Sequence, residues 1–291
     1  AKRTCPLEIE IFARTAGGTG PNVSMFERLK SDLYACGFDG LPKEIAVNGE
    51  QHRLQRTFKH DFFAATGLYE SVQPEALEAD TLKVLKVSRT QPFLGLPLCW
   101  LGRWLCRREV EILQRLQDLD QVPHLVDRWD ENGFVYDYIP GLSLDEKPTI
   151  PDDFFDELAR LLERIHQNNL CYIDLNKRGN ILVGQDGRPY LIDFQISLVF
   201  RSSGWLCRLF QREDRYHLLK HKRRLRPDLM TPQEREQSRC KSPWIRIHRL
   251  VSSPFHRLRR GLMRWLYRRG YLHRPPQSDL SPENDPARFD R

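Results

Sequence analysis

Long apolar runs are missing from this 291-residue chain. None approaches the roughly 18 residues of a membrane-spanning helix, and the first residues, AKRTCPLEIEIF, lack the basic-then-apolar order of a secretory signal. The expectation is a soluble, cytoplasmic protein. Cysteine is sparse and unpatterned: seven residues, at 5, 36, 99, 106, 171, 207 and 240, with no CxxC pair and no Cys/His group at zinc-ligand spacing. That pattern excludes a disulfide scaffold or a zinc module, and the thiols read as reduced packing residues. No internal repeat is present. What the chain does have is a 40% hydrophobic content, ample for the core of one large domain or of two lobes.

Acidic residues are scarce in one region only. Between Arg201 and Pro275 stand 21 Lys and Arg against 5 Asp and Glu, a balance of +16. The chain total is +7, so the remainder sums to −9. Such polarity suits phosphate, nucleic acid or an anionic membrane surface, and it equally suits arginines lining solvated helices.

The pattern of elements changes along the chain. Residues 1–40 hold a glycine-rich TAGGTGPN and a helix-like VSMFERLKSDLYAC with Ser24 as its cap. Strands are expected at KEIAVNG, HRLQRTF and TLKVLKVSR, then a helix at LCRREVEILQRLQDL with Val110, Leu113, Leu116 and Leu119 on one stripe. HLVDRWDENGFVYDYI reads as a hairpin, with Asn132-Gly133 supplying a tight turn and a strand from Phe134 to Ile139. After Gly141 a second amphipathic helix is expected in IPDDFFDELARLLERIHQNN, through Phe155, Leu158, Leu162 and Ile165, with Pro151 near its first turn. QPFLGLPLCWLGRWLC, residues 91–106, carries Trp100 and Trp104 and reads as a hydrophobic cap packed on the sheet, with an exposed membrane or acceptor contact as the alternative. SSPFHRLRRGLMRWLYRRGYL, from Ser253, reads as a basic amphipathic helix, and the tail from Pro275 as disordered. An antiparallel-sheet lobe followed by a mainly helical lobe is a two-lobed α+β arrangement, whose ligands favour the cleft between lobes.

The chemistry concentrates in LCYIDLNKRGNILVGQDGRPYLIDFQIS, residues 170–197. Two short apolar runs flank a turn, with Asp174 and Asn180 before the first run and Asp193 inside the second. Two carboxylates and a carboxamide beside buried strands suit a metal ion. Phosphoryl transfer would also need a cation on the phosphates, for which Lys86 is the candidate, with Glu109 to hold its ammonium. Lys83 and Glu111 are the rivals, and Lys83 and Lys86 point to opposite faces of their strand.

These motifs, taken in order, resemble the protein-kinase-like superfamily. VLKV resembles the strand carrying the phosphate-binding lysine, REVEIL the helix glutamate that pairs with it, and FVYDYIPG the last N-lobe strand and hinge. LLERIHQNNLCYIDLNKRGNIL resembles the catalytic loop, and LIDFQIS the Asp-Phe-Gly segment. The resemblance implies a bilobal fold with a small antiparallel-sheet N-lobe and a mainly helical C-lobe. It implies ATP and Mg2+ as cofactors, Asp174 as catalytic aspartate, Asn180 and Asp193 as metal ligands, and Lys86 with Glu109 as the ion pair. Adenine would meet the backbone from Tyr136 through Tyr138 to Ile139, and Lys177 would touch phosphate.

The departures are as specific. Tyr172-Ile173-Asp174 stands for His-Arg-Asp, the loop from Asp174 to Asn180 is one residue longer than common, and Gln195 replaces the glycine of Asp-Phe-Gly. No G-x-G-x-x-G precedes Lys86 within strand-pair reach. The nearest candidate is AATGLYESVQPE, with one glycine. No Ala-Pro-Glu follows Asp193, and Asp214 is a candidate brace for the catalytic loop. The resemblance is closest to small atypical bacterial kinases, the lipopolysaccharide core heptose and Kdo kinases, and to RIO-type kinases.

The implied organisation is an extension at 1–40, an N-lobe at 41–139, a C-lobe at 140–230, a basic helical region at 231–274 and a tail at 275–291. The expected function is γ-phosphate transfer to a hydroxyl of a sugar, glycolipid or protein. A RIO-like protein kinase that meets RNA and a nucleotide-binding pseudokinase scaffold stay open beside it, nucleic acid being the weaker partner. The basic C-terminal helix is expected to contact the inner face of an anionic membrane.

Overall fold

The computed structural model describes residues 31–37, 39–73, 81–93 and 96–239. The basic helix from Ser253, the tail from Pro275 and most of the helix expected at 23–36 lie outside the described residues, as does the membrane contact assigned to the basic helix. The chain divides into two compact units. The first runs to Pro140 and takes in Ile192–Ser197; the second holds Gly141–Leu191 and continues from Leu198.

The first unit is built on a six-stranded sheet of order β1-β2-β3-β4-β6-β5, with every neighbouring pair antiparallel. Its strands are β1 (Glu44–Val47), β2 (Glu50–His60), β3 (Ala64–Ser71), β4 (Leu82–Ser88), β5 (Leu125–Arg128) and β6 (Gly133–Asp137). Alternation sorts β4: Leu85 and Val87 enter a buried cluster with Ile45, Ala65, Tyr69 and Val135, which leaves Lys86 for the opposite face. Burying each of those Leu, Ile and Val side chains contributes about 1.5–3 kcal/mol. Tyr69, fully buried, donates its hydroxyl to the Pro42 carbonyl at 2.7 Å, so its one polar atom is satisfied.

Helix α1 (Cys99–Arg115) buries Cys106, Val110, Ile112 and Leu113. It passes so close to the end of β4 that a Cβ at Gly102 would collide with the Arg89 carbonyl. That carbonyl also accepts from Asn132 Nδ2 at 3.1 Å.

Two expectations are corrected here. AATGLYES is strand β3, because a place between β2 and β4 outweighs the low strand propensity of its alanines and glycine. Asn132-Gly133 is no two-residue turn: neither residue has positive φ, the connection runs from Trp129 to Asn132, and the Asn132 side chain turns inward to Arg89.

The second unit is mainly helical. Helix α2 (Phe154–Gln167) buries Phe155, Leu158, Leu162 and Ile165 along the expected stripe. It leads to β8 (Leu170–Cys171), two 3-10 turns at Asp174–Asn176 and Arg178–Asn180, and the hairpin of β9 (Ile181–Gly184) and β10 (Pro189–Leu191). Gly187 takes φ 78° in that hairpin's turn. Strand β7 (Gly141–Ser143) pairs with β9, and β11 (Leu198–Val199) with β8. Helices α3 (Trp205–Leu225) and α4 (Pro232–Gln237) follow, the latter opened by a capping box of Thr231 and Glu234. Among the described residues no helix is long and apolar enough to cross a membrane.

Candidate functional site

In the first unit Lys86 donates to Glu109 Oε1 at 2.8 Å and to Asp193 Oδ1 at 2.7 Å. The same Glu109 oxygen accepts the Phe194 backbone N–H at 3.1 Å, so one carboxylate ties β4, α1 and the segment Ile192–Ser197 together. Arg108, one residue earlier on α1, donates to the Ser197 carbonyl. Lys86 and Glu109 are 4% and 2% exposed. Burial alone would discharge the lysine, but Asp193 and Glu109 outweigh it and raise its pKa, so the ammonium persists. Burial pushes the Glu109 carboxyl upward, with Lys86 opposing.

The rivals have other occupations. Lys83 binds Asp137 at 2.9 Å, directly across the β4–β6 register, and Glu111 is exposed. Asp193 takes φ 62°, a left-handed conformation that aspartate tolerates better than most residues. Tyr136, on β6, is partly buried and its phenol is pushed up by burial. Tyr138 donates its N–H to the Leu82 carbonyl and stacks against Phe58, ring centroids 6.2 Å apart, and Ile139 follows, half-buried.

The connection from β2 to β3, Asp61-Phe62-Phe63, holds no glycine. Asp61 Oδ1 accepts from the N–H of Phe63 at 2.9 Å and of Ala64 at 3.0 Å. Burial works to raise the Asp61 carboxyl, but Lys59 and those two N–H groups prevail and lower it, so it stays ionised. These two N–H groups are satisfied internally, and Lys59 pairs the Asp61 charge at 2.9 Å.

The second unit holds the other predicted residues together. Asp174 Oδ2 accepts from Lys177 Nζ at 2.7 Å and from Asn180 Nδ2 at 2.9 Å. The extra residue of the loop is absorbed between the two 3-10 turns, where Lys177 is extended at φ −83°, ψ 116°. Ile173, just before Asp174, sits at φ 68°, which costs a β-branched residue about 1–3 kcal/mol. Asp214 on α3 stabilises it: its carboxylate accepts the N–H of Tyr172 at 2.9 Å and of Ile173 at 2.8 Å, and bonds His166 Nε2 at 3.0 Å.

Sequence reasoning missed two partners of this loop. Lys220 donates to Asn176 Oδ1 at 2.6 Å, and His221 Nε2 meets the Leu175 carbonyl at 2.8 Å. Both lie in a run of basic residues whose composition does not distinguish a loop brace from a solvated face.

His221 carries a pH prediction. Burial, aided by Lys220, Arg178 and Arg224 against the bond to Leu175, moves its pKa from 6.5 down to about 4. Between those values the unfolded chain binds more protons than the folded one, so stability rises with pH there. The contribution, on the order of 3 kcal/mol, is complete above pH 6.5 and lost as pH falls through about 4. His221→Gln should flatten this part of a melting-temperature profile. A His221 ring that titrates near its ordinary value by NMR would contradict it.

The donor types present suit magnesium in each unit taken by itself: in the second, Asn180 commits Nδ2 to Asp174, which leaves Oδ1 as a hard donor, and in the first, Asp193 carries hard carboxylate oxygens. Glu109 Oε2 is buried with no hydrogen-bond partner among the described residues. Among those residues no group of three His, Cys, Asp or Glu could hold a metal ion unaided. Magnesium needs none, since it binds through one or two carboxylates and completes its shell with water and phosphate oxygens.

No protein-family model matches the chain. It is 26% identical over 164 residues to a curated relative, "Serine/threonine-protein kinase C" of Synechocystis sp., a match covering 52% of this chain and 30% of that protein. The chain thus spans about a third of the length of that relative. Among solved structures it is similar to the Rio2 kinase from Chaetomium thermophilum in its complex with ADP, Mg2+ and phosphoaspartate. That likeness has a TM-score of 0.49 at 16% identity, over 69% of this chain and 62% of the other.

Proposed function

We propose that the chain is a protein-kinase-like, ATP- and Mg2+-dependent phosphotransferase acting on a hydroxyl acceptor. The observation that supports this most is the buried Lys86 ammonium between Glu109 and Asp193, a cation that persists where phosphate charge would arrive. Bound ATP and Mg2+ supply the transferable γ-phosphoryl group and the positive charge on its oxygens. Lys86 would neutralise phosphate oxygens, Asp193 and Asn180 would each offer oxygen donors to the metal, and Asp174 would take the proton of the acceptor hydroxyl. The acceptor oxygen forms its bond to phosphorus as the bond to the β-phosphate oxygen breaks, and ADP departs. Lys177, bonded to Asp174, contributes a second cation.

For the acceptor, the sequence match to a serine/threonine kinase favours a protein hydroxyl. The sugar of a lipopolysaccharide-type glycolipid is the other acceptor, carried over from the sequence resemblance alone. The test is purified chain with Mg2+ and labelled ATP across protein, sugar and glycolipid acceptors, with Asp193→Ala as the blank. Absence of both nucleotide binding and turnover sinks the proposal.

One observation favours a second reading, a nucleotide-binding scaffold without turnover: the β2–β3 turn closed by Asp61, which withholds two backbone N–H groups from phosphate. Nucleotide binding that is unchanged by Asp174→Asn, without phosphate release, selects it.

A further inference from the structure

The segment 91–106 was expected to be a cap buried on the sheet, yet its largest side chains face outward. Trp100 is 64% exposed, Trp104 51% and Leu96 61%. The reason is helical geometry. Cys99, Cys106, Val110 and Leu113 occupy the inward stripe of α1, and Trp100 and Trp104, four residues apart, share another face. Leu96 continues the outward surface toward the sheet, since it bridges Phe93, whose ring meets Phe62 at 5.0 Å beside the half-exposed Phe63.

The surface rests on a rigid base. The Arg89 guanidinium, buried to 1% exposure, donates to the carbonyls of Phe62, Asp32 and Pro92 and lies 4.0 Å from the Phe62 ring centre. This fixes the segments that carry Phe63 and Leu96, and the close approach of Gly102 to the Arg89 carbonyl seats α1 beside them.

We propose that the face from Phe63 through Leu96 to Trp100 and Trp104 is a docking surface for an anionic membrane interface. Charge selects the occupant. Arg107 is exposed beside the tryptophans, Arg108 covers the Trp104 ring at 5.2 Å, Arg103 is paired with the exposed Glu131 at 3.0 Å, and the inward Glu109 is neutralised by Lys86. Tryptophan rings settle at the headgroup level, and interleaved arginines meet lipid phosphates there.

The second unit repeats the composition independently. At the start of α3, Trp205 is 74% and Leu206 37% exposed, with Arg201, Arg208 and Arg212 exposed nearby.

The test is co-sedimentation of the full chain with phosphatidylcholine vesicles, with and without phosphatidylserine. Binding is expected only to the anionic vesicles, and Trp100→Ser with Trp104→Ser should weaken it about tenfold or more. Arg107→Glu should weaken it about fivefold or more, and this exposed charge change gives a second reading should the tryptophan variant fold poorly. Brominated lipid should quench the parent's fluorescence more than that of the tryptophan variant. Failure to bind, or binding that both variants retain because residues 253–272 alone carry it, overturns the proposal. So does a parent dimer that the tryptophan change disperses without any effect on vesicles.

Discussion

Lys86→Met is expected to lower ATP turnover by about two orders of magnitude or more and to destabilise the first unit, whereas Lys83→Met does neither. Removing the ammonium leaves Glu109, 2% exposed, and Asp193 facing each other without a counter-charge. Breaking such a buried pair costs roughly 2–4 kcal/mol, a cost that protonation of Glu109 partly offsets. Lys83 differs because its partner Asp137 is 43% exposed by side chain, and surface pairs contribute about 0–1 kcal/mol. Phosphate release and chemical denaturation on the two variants check both parts. Parent-like turnover in Lys86→Met would remove this lysine from the mechanism, and a glutamate that is protonated in the variant would show as a stability loss that grows as pH rises.

The second large effect concerns the strained loop. Asp214→Ala strips acceptors from the N–H groups of Tyr172 and Ile173 and the partner from His166, all at a fully buried position. Loss of about 3–5 kcal/mol is expected by denaturant unfolding, together with loss of turnover as Ile173 leaves φ 68°. Glycine has no penalty at that angle. Ile173→Gly in the Asp214→Ala background should therefore restore part of the activity, although the lost hydrogen bonds are not replaced. A single-variant cost under about 1 kcal/mol would mean that Asp214 is not what holds the loop.

What could be read from the sequence divides by physical cause. Alternation on the strand and periodicity on the helix set Lys86 apart from Lys83 and Glu109 from Glu111 without choosing between them, and the choice of the Lys86–Glu109 pair followed from the order of the motifs. The second amphipathic helix and the β9–β10 hairpin were legible from their apolar patterning. Strand β3 was not, since Ala64, Ala65 and Gly67 are strand residues only by virtue of their neighbours. Trp100 and Trp104 misled because ring size was read as burial, whereas the inward stripe of α1 was already filled by smaller residues. The β2–β3 turn escaped because its N–H groups are bound by an aspartate rather than freed by glycine. The lengthened loop kept Asp174 and Asn180 in contact, since two short 3-10 turns take up the extra residue where spacing alone suggests displacement.

The assignment of Ile192–Ser197 to the first unit has a consequence for synthesis and dissection. Lys86 meets Asp193 across 107 residues of chain, so a ribosome must translate all of Gly141–Leu191 before the first unit holds its last acidic residue. A fragment that stops at Pro140 would carry the lysine and Glu109 without Asp193 or the Phe194 N–H, and so would be an unfinished unit. Expression of separate halves is therefore best attempted by joining Ile192–Ser197 to Pro140 through a linker, a rearrangement that follows the contacts instead of the order of translation.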